Sequence, residues 1–221
     1  MLLAPVEVRA QQVAYAANAV AELDSATQAA VLRELGRARA RGLPVQPLVA
    51  KVREGQVKRA APDRIRLAVA ALATRLDSAR AALGATSSAA EIVAGADAIA
   101  AGVGLTTLRN VRAASGARDL SAPLGALAQL VASGVPSRRA TEMVLELLKR
   151  DAGPRELLAF GNAVETDVGA GVPAEESAVF RLRAIESQGI GADRLTVTAP
   201  DLGPTSMGKP GGNTSGAKRR P

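Results

Sequence analysis

Residues 134–154 read GVPSRRATEMVLELLKRDAGP, and this stretch decides the fold. Gly134 is expected to close one helix, because glycine adopts positive φ without steric cost. Pro136 is expected to open the next helix, because the first helical N–H groups have no intrahelical partner to lose. Apolar residues follow at helical spacing, at Met143, Val144, Leu147 and Leu148. The stretch predicts one amphipathic helix bounded by glycine and proline.

The same punctuation recurs along the chain. The four openings are Gly42-Leu43-Pro44, Gly102-Val103-Gly104, Gly134-Val135-Pro136 and Gly171-Val172-Pro173. Further predicted starts are Pro62, Pro123 and Pro154, with capping boxes at Ser25–Gln28 and Ser88–Glu91. These signals predict ten helices, over residues 11–23, 26–41, 44–59, 62–83, 88–101, 104–115, 121–133, 136–151, 154–169 and 173–188. The sequence thus predicts an all-α protein, either an irregular helical-hairpin solenoid or a compact helical bundle.

The composition excludes several kinds of chemistry. The chain has no Cys, His or Trp, so thiolate and imidazole ligands for zinc, haem or iron–sulfur clusters are missing. Cys–His and Ser–His–Asp catalysis are excluded for the same reason. The acids are scattered and form no calcium-loop pattern. We therefore predict no cofactor, no metal and no catalytic residue.

Several sequence patterns resemble enzyme sites, but each lacks a required residue or has a simpler structural explanation. The segment GPTSMGKP, residues 203–210, lacks the P-loop hydroxyl, because Pro210 stands in its place. The SGAK of residues 215–218 matches the S-x-x-K nucleophile motif but lies in a Gly-rich terminal segment. Two carboxylate pairs, Glu142 with Glu146 and Glu175 with Glu176, have structural explanations as a solvated face and a helix N-terminus. A carboxylate enzyme stays a distant third hypothesis.

Positive charge is concentrated early in the chain. Ten basic and three acidic residues lie between Arg33 and Arg66, a net charge of +7. Arg33, Arg37 and Arg41 recur every fourth residue and are expected to share one helix face. The predicted basic binding face comprises Arg33, Arg37, Arg41, Lys51, Lys58 and Arg59. Three aromatic residues in the whole chain supply no platform for stacked bases, which disfavours single-stranded nucleic acid.

The domain prediction has three parts. Residues 1–10 are interpreted as the remnant of an export signal or a frayed N-terminus, because Val8-Arg9-Ala10 resembles a signal-peptidase site. Residues 11–188 form the helical repeat-like domain, and the Gly-, Pro- and Ser-rich residues 189–221 form a basic disordered tail. No apolar run is long enough for a transmembrane helix. We predict an exported or periplasmic protein, with a cytoplasmic protein as the alternative.

Residues 47–72, PLVAKVREGQVKRAAPDRIRLAVAAL, resemble segments of uncharacterised exported bacterial proteins built from short helices punctuated by Gly and Pro. The matching residues are Lys51, Glu54, Gly55, Lys58, Pro62 and Ile65. The resemblance covers about a tenth of the chain and implies export but no activity.

The functional prediction is a non-enzymatic binding or scaffolding protein. Its basic N-terminal third is expected to face an acidic protein or an anionic partner of the cell envelope. The alternative is a cytoplasmic protein that binds duplex nucleic acid non-specifically through the phosphate backbone.

Overall fold

The computed structural model describes residues 19–116 and 118–188 of the chain. The all-α prediction is confirmed there, with nine helices and no strand in those ranges. The helices are α1 (Ser25–Ala40), α2 (Gln46–Val57), α3 (Pro62–Leu83), α4 (Ala89–Ala100), α5 (Leu105–Ser115), α6 (Ser121–Ala132), α7 (Ser137–Lys149), α8 (Pro154–Gly169) and α9 (Ala174–Gln188). None of them is long and apolar enough to cross a membrane. The predicted segment 1–10, most of the first predicted helix and the predicted tail 189–221 lie outside the described residues.

The helices pack in the order of the chain. The principal contacts join helices that are adjacent or two apart in sequence. Helices α1, α3, α5 and α7 contact one another in succession and form one row, and α4, α6 and α8 form a second row. Contacts of α3 with α4 and of α6 with α7 join the rows, while α2 packs on α3 and α9 on α8. Each helix thus packs mainly on helices one or two positions away in the chain.

The core is built from aliphatic side chains between the two rows. Helix α6 lies centrally and buries Leu124, Leu127 and Leu130 completely. Phe160 of α8 is also fully buried. Each large side chain removed from water in this way contributes about 1.5–3 kcal/mol, so helix stability here comes from packing more than from local propensity.

Four helices end in the predicted glycine turn. At the end of α1, Gly42 has φ +67° and its N–H donates to the Arg39 carbonyl at 2.9 Å. The Leu43 N–H then donates to the Ala38 carbonyl, also at 2.9 Å. The same pair of bonds recurs at Gly102, Gly134 and Gly171. These paired bonds are the Schellman motif, which satisfies the last helical carbonyl groups.

The prolines that follow these glycines do not open helices as predicted. Helix α2 begins at Gln46, two residues after Pro44, and Pro47 supplies the proline of its first turn. Pro136 is the N-cap of α7, with φ −53° and ψ 132°, and its carbonyl accepts from the Ala140 N–H at 2.9 Å. The proline ring fixes φ, but the extended ψ leaves this residue outside the helix.

One predicted capping box is confirmed and the other is wrong. Ser88 Oγ accepts from the Glu91 N–H at 3.1 Å, and Glu91 Oε2 accepts from the Ser88 N–H at 2.7 Å. In α1 the cap is Asp24 rather than Ser25, because the Asp24 carboxylate accepts from the Thr27 N–H at 3.0 Å. A carboxylate one residue earlier satisfies the exposed N–H in place of the serine.

Two ion pairs, one buried and one partly buried, tie neighbouring helices together. Asp167 of α8 accepts from Arg181 Nε at 2.9 Å, from Arg181 Nη2 at 2.7 Å and from Ser177 Oγ at 2.6 Å. The hydrogen bonds from Arg181 hold the pKa of Asp167 below its usual value; burial opposes this shift and Ser177 reinforces it. The hairpin of α8 and α9 is therefore fixed by a bidentate, charge-assisted contact.

The second pair involves Glu91 of α4. Its carboxylate accepts from the Arg112 guanidinium of α5 and from the Leu120 N–H at 3.0 Å, besides the Ser88 N–H. Burial raises the pKa of Glu91, but the hydrogen bonds from Ser88, Arg112 and Leu120 outweigh it and lower the pKa overall. One carboxylate thus connects α4, α5 and the start of α6.

Candidate functional site

The structure concentrates positive charge on the first three helices. Residues 19–83, which we call the basic region, contain α1–α3 and carry twelve basic and six acidic residues, a net +6. Residues 84–188 carry ten basic and twelve acidic residues, a net −2. The asymmetry predicted from the sequence therefore corresponds to one end of the helical array.

A groove between α1 and α3, which we call the basic groove, carries the arginines predicted on α1. It consists of two adjoining cavities of about 540 and 450 Å³ that share Glu34, Arg37 and Ala70 in their lining. Arg33 lines the first cavity and Arg41 lines the second. The fourfold spacing places Arg33, Arg37 and Arg41 along this groove.

Partners within the protein already hold two of these three arginines. Arg37 Nη1 lies 2.7 Å from Glu34 Oε1, and Arg41 Nη1 lies 3.0 Å from Asp77 Oδ2 on α3. Arg33 makes no hydrogen bond or ion pair with any residue that the structure describes. Exposed ion pairs contribute only about 0–1 kcal/mol, so an incoming carboxylate exchanges with Glu34 or Asp77 at little cost.

The predicted cations of α2 lie elsewhere. Lys51 Nζ and Lys58 Nζ both bind Glu54, at 2.5 and 2.7 Å. The hydrogen bond from Lys51, followed by that from Lys58, lowers the pKa of Glu54 to about 2. Neither lysine nor Arg59 lines the basic groove. The six predicted residues therefore form two separate groups rather than one continuous face.

Arg59 occupies a position that also has a structural role. It follows α2 with φ +49°, its N–H donates to the Gln56 carbonyl at 2.9 Å, and the Ala60 N–H donates to Gly55 at 2.9 Å. This is the glycine turn described above with arginine in the glycine position, a conformation that is unfavourable for an L-residue with a long side chain. The side chain itself is exposed.

Four exposed arginines of the basic region have side chains that make no hydrogen bond or ion pair within the described ranges: Arg33, Arg39, Arg59 and Arg64. The predicted binding face omitted Arg39 and Arg64, although both belong to the basic stretch of sequence. Large apolar side chains accompany them, since Val57 is 84% exposed and Leu67 is 70% exposed. The sequence of α3 does indicate that Leu67 is exposed, because this residue lies off the apolar stripe formed by Ile65, Val69 and Leu72.

Of the four carboxylates weighed as catalytic groups, Glu142, Glu146 and Glu175 form ion pairs with arginines. Glu142 accepts from Arg138 Nε at 3.1 Å and from Arg139 Nη1 at 3.2 Å, and these hydrogen bonds lower its pKa. A general acid needs the opposite shift, toward neutral pH. Glu146 accepts from Arg150 Nε at 3.0 Å. Among the described residues, no three acidic side chains come together in a metal-binding group.

The fold and this site define an all-helical hairpin array with a basic end. Comparisons with protein-family models, with curated protein sequences and with solved structures find no significant match to the chain.

Proposed function

We propose that this is a non-enzymatic binding or scaffolding protein whose basic region binds an acidic protein or another anionic partner of the cell envelope. The observation that carries the proposal is the set of arginines in the basic region whose side chains have no partner among the described residues, Arg33, Arg39, Arg59 and Arg64. Unpaired cations at one end of a molecule attract an anionic surface and orient its approach.

Exposed apolar groups favour a protein partner over duplex nucleic acid. Leu67 lines the basic groove beside Arg33 and Arg37 and leaves 70% of its surface in solvent. A phosphate backbone offers such a side chain nothing to pack against, and protein–DNA interfaces are strongly polar and positively charged. An acidic protein surface supplies both carboxylates for the arginines and apolar contact for the leucine.

The test compares two charge-reversal variants of the full chain with equal net charge. One carries Arg33→Glu, Arg39→Glu and Arg64→Glu, and the control carries Arg109→Glu, Arg155→Glu and Arg183→Glu, all exposed arginines of residues 84–188. Fluorescence anisotropy with labelled polyglutamate and with a labelled 30-base-pair DNA gives the affinities at about 0.15 M salt. The Debye length is then about 8 Å, so charges outside the binding surface have little effect.

We expect the first variant to bind polyglutamate at least about tenfold more weakly than wild type, and the control to change affinity by less than about threefold. Equal losses in both variants would contradict binding at the basic region. Tighter binding of the DNA than of polyglutamate by wild type, lost in the first variant, would favour the nucleic-acid alternative.

We also propose that the chain is exported. The support is the Val8-Arg9-Ala10 sequence and the resemblance of residues 47–72. Mass spectrometry of the native protein in cell fractions tests this: a chain that begins near Gln11 in the envelope or medium supports export, and one that begins at Met1 in the cytosol refutes it.

A further inference from the structure

A second groove, which we call the apolar groove, lies between the α1–α2 turn and α4, with a cavity volume of about 940 Å³. One wall contains Leu43, Val45 and Val49, and the other contains Ala90, Val93 and Ala94. The last three recur on α4 at helical spacing, and Ala90 is exposed. This volume is large enough for several aliphatic side chains. Because part of the lining is exposed, a bound segment would stay partly in contact with solvent.

The charges of the apolar groove favour an anionic occupant. Arg39 lines the groove, and its guanidinium makes no hydrogen bond or ion pair with any described residue. The first turn of α2 also lines it, and its N-cap Val45 provides no side-chain hydrogen bond to the helix. Carboxylates are stabilised near helix N-termini by the helix dipole, in addition to the attraction of the arginine.

Asp97 is the one acidic residue in this lining. Burial raises its pKa, whereas the positive charges of Arg75 and Lys51 act in the opposite direction. Arg39, at another point of the lining, is the cation available to an anionic group in the groove.

We propose that the apolar groove binds an extended segment of the acidic partner, with aliphatic side chains in the groove and a neighbouring carboxylate on Arg39. This inference rests on the proposed function and names the part of the partner that the chain recognises. Arg33 and Arg64 supply charge attraction in general, and the apolar groove adds selection for acidic segments that also carry Leu, Val or Ile.

The test uses the full chain and two labelled twelve-residue peptides with the same number of glutamates. Leucines alternate with the glutamates in one peptide, and serines replace the leucines in the other. We expect wild type to bind the leucine peptide at least about tenfold more tightly, because burial of even one large aliphatic side chain has an effect of this size. Ala90→Phe, which fills the groove, should reduce the preference to less than about threefold and leave the affinity for the serine peptide unchanged.

Ala100→Phe is the matched control, because Ala100 is exposed on the same helix and does not line the apolar groove. Gln46→Phe fills the groove from the opposite wall. It provides a second test if Ala90→Phe fails to fold, and circular dichroism shows whether each variant is folded. Equal binding of both peptides by wild type overturns this inference and leaves the proposed function intact. Failure of both peptides to bind overturns both, and a preference that survives both filling variants overturns the assignment to this groove.

Discussion

In the hairpin of α8 and α9, Asp167 receives two hydrogen bonds from Arg181 and one from Ser177, and the side chains of Asp167 and Arg181 are 7% and 5% exposed. In the basic region several arginines are exposed, and the side chains of Arg33, Arg39 and Arg64 have no partner among the described residues. One end of the array thus uses its charges to fix the packing of helices. The other end also has an exposed ion pair between helices, Arg41 with Asp77, but it presents most of its excess positive charge to solvent.

The two uses of arginine have different energetic consequences. A buried arginine whose carboxylate is removed leaves an uncompensated charge in a poorly solvated place, which is costly. An exposed arginine loses little when its partner is removed, because water and salt replace the interaction. The comparison therefore predicts that mutations at the C-terminal end change stability, whereas those in the basic region change binding.

The largest expected effect is at the buried pair. Asp167→Ala should lower the free energy of unfolding by about 3–5 kcal/mol, because Arg181 stays buried without its counter-charge. Urea denaturation measures the change. Glu142→Ala, which removes the exposed partner of Arg138 and Arg139, is the control and should have a far smaller effect. Similar losses in the two variants would break the comparison between buried and exposed charge.

The same pair predicts a pH dependence. Because the pKa of Asp167 is lowered in the folded state, its stabilising effect is present above the unfolded pKa of about 4 and is lost as pH falls through the folded pKa. Glu91 acts in the same direction. The free energy of unfolding should therefore fall as the pH drops below about 4, and less steeply in Asp167→Asn. An equally steep fall in the variant would exclude Asp167 as a source.

A smaller change in stability is expected at Gly55, where α2 packs closely on α3. A Cβ atom at Gly55 would lie 2.7 Å from Ile65 Cγ1, a buried side chain, so Gly55→Ala should cost about 1–2 kcal/mol of stability. Gly36 in α1 has no neighbouring atom within 4 Å of that position, so Gly36→Ala should stabilise by about 0.5–1 kcal/mol. Thermal denaturation of both variants measures the shifts. The same sign in both would contradict close packing of α2 on α3.

The smallest expected effect is at Arg59 of the basic region. One substitution there should raise stability and weaken binding. Arg59→Gly should stabilise the protein by up to about 1 kcal/mol, because glycine accepts the positive φ of this turn. The same variant should bind polyglutamate more weakly, since it loses one cation. Asp151→Gly is the control at the equivalent position after α7, with φ +58°, and its gain should be smaller because aspartate tolerates this conformation better. If Arg59→Gly destabilised the protein instead, the Arg59 side chain would have to make a stabilising contact in the folded state.

The local pattern of the sequence predicted most of the fold. The helix ends at Gly42 and Gly134 could be predicted, because a positive φ depends only on the residue itself and its neighbours in the chain. Errors arose where two local solutions compete, as at Asp24 and Ser25, which both offer an oxygen to the same turn.

The site was less predictable, because it depends on which helices abut. Arg41 and Asp77 are 36 residues apart, and nothing in either segment marks them as partners. The sequence placed Lys51 and Arg33 on one face because both are basic, whereas α2 and α1 direct them to different places. The apolar groove has no sequence pattern of its own, since an exposed Ala90 and a buried Ala96 look alike before the helices are packed.

The restriction of the principal contacts to helices one or two apart has a kinetic consequence. Proteins dominated by such short-range contacts fold in microseconds to milliseconds. A ribosome adds only about 5–20 residues per second, so each hairpin has time to form before the next one is synthesised. The helices of the basic region would then pack on one another while the later helices are still being added.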